Sequence, residues 1–272
     1  MFPMTKWKKL TEMIQFCSLA SGSSGNCLYV ETPDVAVLVD CGISGKKVID
    51  TLKEIDKNSD KIKAVLVTHD HSDHISGIGV ISRKLKIPVY ASMPTMKSIL
   101  NYDSKIDKYT IIDEEVFHIG DLEISVVKTS HDSPDSCGYI FQHENSKIVV
   151  MTDLGFVTNE IIKKCNGCNF AFIESNYDLK MLMYGSYPME TKRRIASEIG
   201  HLSNDDCGKL ACSLANSGTR KFMLGHISSN NNMTTIAYNT VRDCLIFMGY
   251  QEKEFSLDIA TKYEHSKIIT ID

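Results

Sequence analysis

The stretch Thr68–His74, THDHSDH, decides both the fold and the chemistry that this chain can support. His69 and His71 lie two positions apart, and Asp73 and His74 follow as an adjacent pair. In a locally extended segment, side chains two apart point to the same side, so His69 and His71 can bind one metal ion. The turn that follows can deliver Asp73 and His74 to a second ion. The pattern therefore predicts a dinuclear metal site.

The residues around this motif place it at the end of a strand. The run 63–67, KAVLV, is apolar and β-branched and predicts a buried strand, whereas 75–82 has helical spacing. In α/β proteins, loops that leave strand ends bring side chains together in one crevice. An isolated histidine in such a loop is usually an ordinary surface or core residue. Three histidines and two aspartates within six positions favour metal binding instead.

The composition predicts a soluble cytoplasmic protein. The chain has 272 residues, 43% of them hydrophobic, which is ample for a packed core. Its formal charge of −4 argues against a generally basic nucleic-acid binder and leaves a local basic patch open. No apolar run approaches the ~20 residues of a membrane span, and no signal-peptide core follows Trp7, Lys8 and Lys9. Since there is no linker or repeat, we expect a single domain over residues 1–272.

The cysteines fit reduced thiols better than a disulfide framework, because the nine of them are scattered and odd in number. Cys165 and Cys168 have the spacing of a zinc knuckle or a redox pair. A structural zinc site needs two more ligands at matching spacing, and none is obvious nearby. We therefore expect these two residues to lie in a turn between a helix and a strand.

Further polar residues follow apolar runs that predict strands, as the metal motif does. The first segments of the chain predict a β-meander that contains the Gly/Ser-rich loop 20–26. This loop lacks the GK[ST] ending of a phosphate-binding loop. We therefore expect it to line the site as a tight hairpin. The pattern is mixed α/β rather than strict βαβ alternation. The polar residues at later strand ends are His131, Asp153, Glu174 and His226.

With THDHSDH, SHD, TDLG and LGHIS in that order, each after a strand, the chain resembles the metallo-β-lactamase superfamily of hydrolases. The resemblance spans nearly the whole chain. It implies a four-layer αββα sandwich of two mixed β-sheets with a dinuclear site at one edge. The finer motifs SLASGSSGNC, HDSPDSCGY, ESNYD, MLMYGSYPMETKRRI and GHLSN look like the YycJ (WalJ) branch, whose members are described as exonucleases or uncharacterised hydrolases.

The resemblance also implies a ligand set. The first ion would be held by His69, His71 and His131. The second ion would be held by Asp73, His74 and His226, with Asp153 bridging the two ions. A water or hydroxide between two cations has a pKa far below ~15.7, so it can attack at neutral pH, and the cations also offset the charge of a phosphodiester. Nitrogen-rich ligation favours zinc, with manganese as the alternative.

A further histidine, His201, is implied to handle the leaving group. In nuclease branches of the superfamily, a histidine in a comparable GH motif works with an acidic residue, and Glu174 is the candidate partner here. A histidine can protonate a departing alkoxide, and a neighbouring carboxylate would orient it. The alternative is that His201 only caps or hydrogen-bonds a loop.

The densest basic run of the chain is Lys192, Arg193 and Arg194, on a helix expected over 188–199. Such a run is commonly a solvated helix face. Its nearness to GHLSN makes it the best candidate for a phosphate-binding site, because guanidinium binds phosphate oxygens in a fork.

The function that we predict is a metal-dependent phosphodiesterase, most specifically an exonuclease acting on DNA or RNA, with Asp73 among its catalytic residues. The substrate rests on the resemblance, because the same metal site serves other esters. One alternative is a small-molecule hydrolase, such as a cyclic phosphodiesterase or lactonase. The other is a binding or regulatory protein without turnover, and the intact ligand set argues against it. Nucleic acid is the expected partner, and no membrane association is expected.

Overall fold

The computed structural model describes residues 13–271. Within that range the strands form two mixed sheets, each of seven strands. The strands of the first sheet are β1 (Ile14–Ala20), β2 (Cys27–Glu31), β3 (Ala36–Val39), β4 (Ile62–Leu66), β5 (Val89–Ala91), β6 (Tyr109–Ile111) and, from the end of the chain, β14 (Ile269–Ile271). Those of the second sheet are β7 (Val116–Ile119), β8 (Leu122–Lys128), β9 (Cys137–His143), β10 (Ser146–Met151), β11 (Phe170–Glu174), β12 (Lys221–Gly225) and β13 (Ser256–Ile259).

The helices connect the strands and cover the outer faces of the sheets. Ser44 caps the first of them and Ser203 caps the eighth, in each case by accepting a hydrogen bond from a backbone N–H of the first turn. Short 3₁₀ turns lie at Ser59–Lys61 and Glu252–Glu254. The helices are α1 (Gly45–Glu54), α2 (Ser72–Ile75), α3 (Ile78–Leu85), α4 (Met93–Tyr102), α5 (Asn159–Cys165), α6 (Leu179–Tyr184), α7 (Met189–Ile195), α8 (Asn204–Asn216) and α9 (Thr234–Phe247).

Both sheets are antiparallel at one side and parallel at the other. In the first sheet, ordered β14-β1-β2-β3-β4-β5-β6, pairing is antiparallel up to β3 and parallel from β3 to β6. In the second, ordered β13-β12-β11-β10-β9-β8-β7, pairing is parallel from β13 to β10 and antiparallel beyond. The β-branched and aromatic runs predicted as strands therefore occupy both sheets.

Three apolar clusters give the sheets and helices their layered arrangement. The central cluster joins Phe16 and Val37 of the first sheet to Tyr139 and Phe172 of the second. A second cluster packs α1, α3 and α4 on the outer face of the first sheet, and a third packs α5, α8 and α9 on the outer face of the second. The order is helices, sheet, sheet, helices, which confirms the predicted αββα architecture.

The topology brings the functional loops to one edge. Because β8 and β10 both run antiparallel to β9, they run in the same direction, and β11 and β12 are parallel to β10. The loops after β8, β10, β11 and β12 therefore leave the second sheet at the same edge. These loops carry His131, Asp153 and His226, and Glu174 is the last residue of β11.

Two expectations about local structure are confirmed. Cys165 ends α5 and Cys168 precedes β11, so the pair lies in a turn between a helix and a strand. Burial raises the pKa of both thiols, that of Cys165 to about 12. The loop 20–26 joins β1 to β2 as an antiparallel hairpin and reaches the site, since Ser21 Oγ accepts a hydrogen bond of 2.8 Å from the backbone N–H of His226.

The helix expected over 188–199 is shorter, Met189–Ile195. Residues beyond it turn back toward the second sheet, where the carbonyl oxygen of Glu198 accepts a 2.6 Å hydrogen bond from Ser130 Oγ. Gly155 lies so close to this turn that an added Cβ would be 2.0 Å from the same oxygen. Tertiary contacts therefore end the helix. No helix in the described part of the chain is long and apolar enough to cross a membrane.

Candidate metal centre

Two histidines from the loop after β4 and one from the loop after β8 form one group. His69 is almost fully buried and follows the strand, while His71 lies at the start of the one-turn helix α2. His131 comes from the loop after β8, and its Nε2 atom lies 3.3 Å from Nδ1 of His71. Potential ligand atoms of His69, His71 and His131 all lie within 4.8 Å of one another. This is the set that the sequence assigns to the first ion, and we call it the first group.

A second group lies beside the first. Asp73 and His74 come from α2, and His226 comes from the loop after β12. Asp73 Oδ2 lies 3.6 Å from Nε2 of His74 and 3.5 Å from Nε2 of His226. Their potential ligand atoms also lie within 4.8 Å of one another. The structure therefore brings together the three residues that the sequence assigns to the second ion.

Asp153 lies between the two groups. Its Oδ2 atom is 3.2 Å from Nε2 of His74, and its Oδ1 atom is 3.7 Å from Nε2 of His131. The backbone of Asp153 is in the left-handed region, with φ of 55°, which for a residue other than glycine indicates a constrained position. One buried carboxylate thus contacts a histidine of each group.

The donor set fits divalent metal ions. Nε2 of His69 is buried and has no hydrogen-bond partner within residues 13–271, and buried Oδ2 of Asp153 has none there beyond its 3.2 Å contact with Nε2 of His74. Buried polar atoms are normally partnered, so such atoms at the centre of a histidine cluster indicate a missing ligand. Imidazole nitrogens and carboxylate oxygens are ordinary ligands of zinc and manganese.

Hydrogen bonds behind the histidines turn one nitrogen of each toward the centre. Nδ1 of His74 donates to Asp40 at 2.7 Å, and Nδ1 of His131 donates to the Gly200 carbonyl at 2.8 Å. Nε2 of each ring then points toward Asp153, as in other metal sites where an outer partner fixes the tautomer. The sequence reasoning missed Asp40. The available signal was its position after the apolar run 36–39, which is also how Asp153 follows β10.

Burial and neighbouring carboxylates shift the pKa values of the site's histidines in opposite directions. Although burial opposes protonation, Asp153 and Asp40 raise the pKa of His74 to about 9. Burial also opposes protonation of His226, but Asp153 and Asp73 raise its pKa well above the usual value. Burial and the neighbouring histidines His74 and His131 lower the pKa of His69 well below its usual value. The carboxylates of the site therefore act on His74 and His226 in the direction opposite to burial.

Glu174 connects His201 to the second group. Its Oε1 atom lies 2.8 Å from Nδ1 of His201 and 2.8 Å from Nδ1 of His226. Its Oε2 atom accepts backbone hydrogen bonds from Leu154 and Leu202 at 3.0 and 3.1 Å. Burial opposes ionisation, but His201 and His226 hold the pKa of Glu174 well below its usual range. The predicted partners are adjacent, and the carboxylate is shared with a residue of the second group.

The three residues of the basic run differ in their exposure to solvent. Lys192 is buried, and its Nζ atom donates to the Met183 carbonyl at 2.8 Å. This placement counts against Lys192 as part of the predicted phosphate-binding run, because its side of α7 packs inward. Arg193 and Arg194 are exposed. Arg194 forms an ion pair with Asp132, whose Oδ1 atom lies 3.2 Å from Nε2 of His131.

Tyr177 packs α6 and α7 against the site. It is buried with Leu182 and Ile195, and burial raises the pKa of its hydroxyl to about 12. Its carbonyl oxygen accepts the backbone N–H of Asn204 at 2.9 Å, at the start of α8. Tyr177 is therefore a packing residue of this part of the structure.

The chain is similar to proteins of known family and fold. Residues 36–227 match the family described as the Beta-lactamase superfamily domain. The chain is 37% identical over 240 residues to Exodeoxyribonuclease YycJ of Bacillus anthracis, which covers 87% of this chain and 91% of that protein. It is 37% identical over 232 residues to Exodeoxyribonuclease WalJ of Streptococcus pneumoniae serotype 2, covering 84% and 86%. The crystal structure of Zn(2+)-bound PqqB from Methylobacterium extorquens shares the fold, with a TM-score of 0.70, 14% identity, and 95% and 99% coverage.

Proposed function

Because the chain belongs to the metallo-β-lactamase superfamily, we propose that it is a metal-dependent phosphodiesterase, and specifically an exonuclease acting on DNA or RNA. The observation that carries this proposal is the pair of adjacent ligand groups joined by Asp153. Relatives that cover most of this chain and are named exodeoxyribonucleases support a nucleic-acid substrate.

The first group would hold one divalent ion and the second group another, with Asp153 shared between them. Zinc is the first candidate because most of the donors are imidazole nitrogens, and manganese is the alternative. When bound, such cations activate water and offset the negative charge of a phosphodiester. Asp40 and Glu174 keep the rings of His74 and His226 aligned for this task.

His201 is the proposed general acid. Its Nδ1 atom donates to the Glu174 carboxylate, which fixes the orientation of the ring, so Nε2 is the atom that would give a proton to the leaving oxygen. Its side chain is 14% exposed, whereas that of Glu174 is fully buried. Only His201 of this pair is therefore placed to meet a substrate from solution.

The central core supports a single domain, since it contains strands from the beginning, middle and end of the described chain. The nine cysteines are free thiols in the described structure, and eight of them are buried. Free thiols in this number fit a reducing compartment, and we infer a cytoplasmic location from them.

The test is to incubate metal-reconstituted protein with end-labelled single- and double-stranded DNA and RNA, beside an Asp73→Ala control. We expect stepwise shortening of a strand from one end, and its loss in the control, because Asp73 belongs to the second group. Hydrolysis of bis-p-nitrophenyl phosphate or a lactone, without shortening of any strand, would instead assign the site to a small-molecule hydrolase.

A further inference from the structure

The α6–α7 segment, residues 179–195, lies across the metal centre. At one end, Arg194 forms an ion pair with Asp132, the neighbour of His131 in the loop after β8. In its middle, between α6 and α7, the hydroxyl of Tyr187 accepts a 2.6 Å hydrogen bond from Asn230, in the loop that carries His226. The segment therefore contacts loops that belong to both ligand groups.

The turn between α6 and α7 exposes a large apolar surface. Tyr184 is 90% exposed, Met189 56% and Met183 43%. The backbone beneath them is nevertheless fixed, because the Met183 carbonyl accepts the Lys192 hydrogen bond. At Gly185 a Cβ would lie 2.7 Å from the Met181 carbonyl oxygen, so the chain turns tightly directly after Tyr184. An exposed aromatic ring on a fixed backbone is a feature typical of binding surfaces.

The positive charges on this segment favour a negatively charged partner. Arg193 and Arg194 lie on the same segment and are exposed, although the whole chain has a formal charge of −4. One guanidinium nitrogen of Arg194 is paired with Asp132, and the group has further N–H donors for a phosphate. Aromatic rings that stack on bases, together with arginines that pair with phosphates, are how proteins bind single-stranded nucleic acid. In a duplex the faces of the bases are stacked on one another and are closed to a tyrosine.

We propose that the α6–α7 segment binds single-stranded nucleic acid, with an unpaired base stacked on Tyr184 and the adjoining phosphates bound by Arg193 and Arg194. The inference rests on the proposed function and adds to it the state of the substrate. A strand must present unpaired nucleotides beside the metal centre, and a small phosphodiester without bases gains nothing from this surface.

The test compares metal-loaded wild-type protein with Tyr184→Ala and Tyr184→Trp. Tyr263→Ala is the matched control, since Tyr263 is 70% exposed and belongs to the surface next to α1 rather than to the α6–α7 segment. Binding of a labelled single-stranded oligonucleotide is followed by fluorescence anisotropy, and KM is measured for the same strand and for bis-p-nitrophenyl phosphate. Thermal unfolding verifies that each variant is folded.

We expect Tyr184→Ala to weaken strand binding by about 10-fold, the effect of losing one base–aromatic stack. In the same variant, kcat/KM for the strand falls relative to kcat/KM for bis-p-nitrophenyl phosphate. Tyr184→Trp restores strand binding and this ratio, and Tyr263→Ala resembles wild type in both. Strand binding by Tyr184→Ala within about two-fold of wild type overturns the inference and leaves the proposed nuclease standing. If Tyr184→Ala changes the sedimentation coefficient of the protein but not its strand binding, the surface binds a second copy of this chain. This result also overturns the inference. If wild-type protein neither binds nor shortens any strand, the proposed function fails as well.

Discussion

The carboxylate of Asp40 lies 2.7 Å from Nδ1 of His74, on the side of the ring that faces away from the metal centre. The same carboxylate accepts 2.8 Å hydrogen bonds from the backbone N–H and the hydroxyl of Thr68. Asp40 is buried, and its backbone is left-handed with φ of 58°. It therefore links the end of β3 to the start of the metal motif and fixes the ring of His74.

Asp40→Asn removes the charge behind His74 while keeping a residue that tolerates left-handed backbone. We expect it to weaken metal binding by about 10- to 100-fold, the usual effect of removing an outer partner of a ligand histidine. Competition with a chromophoric chelator measures this. Asp56→Asn is the matched control, because Asp56 also has a positive φ, of 55°, and is exposed. Equal affinities in both variants would show that Asp40 has no part in metal binding.

His201→Ala is expected to lower kcat by about 100-fold or more, because a general acid contributes in that range, while the metal content stays that of wild type. Steady-state kinetics and elemental analysis on the same preparation give both quantities. His118→Ala serves as the control, since His118 is an exposed histidine of β7. Loss of bound metal from the His201 variant would make this residue a ligand, which its position within 4.8 Å of Asp153, Glu174 and His226 allows.

The two exposed arginines are expected to set the salt dependence of strand binding. In Arg193→Ala/Arg194→Ala, the slope of log affinity against log salt should decrease by roughly 0.7 for each lost phosphate contact to a single strand. Binding titrations at several salt concentrations measure the slope. Arg242→Ala should leave it unchanged, because Arg242 lies on α9 and pairs with Asp243. An unchanged slope in the double variant would remove both arginines from the substrate site.

Glu31 is expected to contribute to stability in a pH-dependent way, at a distance from the metal centre. Burial opposes its ionisation, but Lys57 and Lys61 hold the pKa of Glu31 below its ordinary value of 4.5. Since the folded-state pKa is the lower one, the stabilisation is complete above pH 4.5 and is lost as the pH falls through the folded-state pKa.

Urea unfolding of wild type and Glu31→Gln between neutral and acidic pH tests this. Wild type should be the more stable protein at neutral pH, and the difference between the two should shrink below pH 4.5. Glu160→Gln is the control, because the Glu160 side chain is 75% exposed in its pair with Lys164. A difference that stays constant with pH would show that the Glu31 carboxylate has no shifted pKa.

Much of the fold was predictable because its signals are local. The apolar run 63–67, predicted as a buried strand, forms β4 over Ile62–Leu66, and the metal motif is contiguous in sequence. Sheet order was not predictable, since β14 returns from the end of the chain to pair with β1. The strand β6, Tyr109–Ile111, has only three residues and carries no clear pattern.

The candidate site was predictable where ligand-type residues end apolar strands. Asp40 has the same signal but no histidine beside it in sequence, and its role depends on a contact across 34 positions. Lys192, in contrast, was singled out from the sequence although its side chain is buried. A basic run on a helix does not reveal which side chain faces inward, and only the packing of α7 against Met183 decides it.

The most direct measurement is anomalous X-ray diffraction from crystals of the protein supplied with zinc or manganese. The account predicts two metal peaks, one among His69, His71 and His131 and one among Asp73, His74 and His226, with Asp153 in contact with both. Metal-supplied crystals with no anomalous peak among these seven side chains would contradict it.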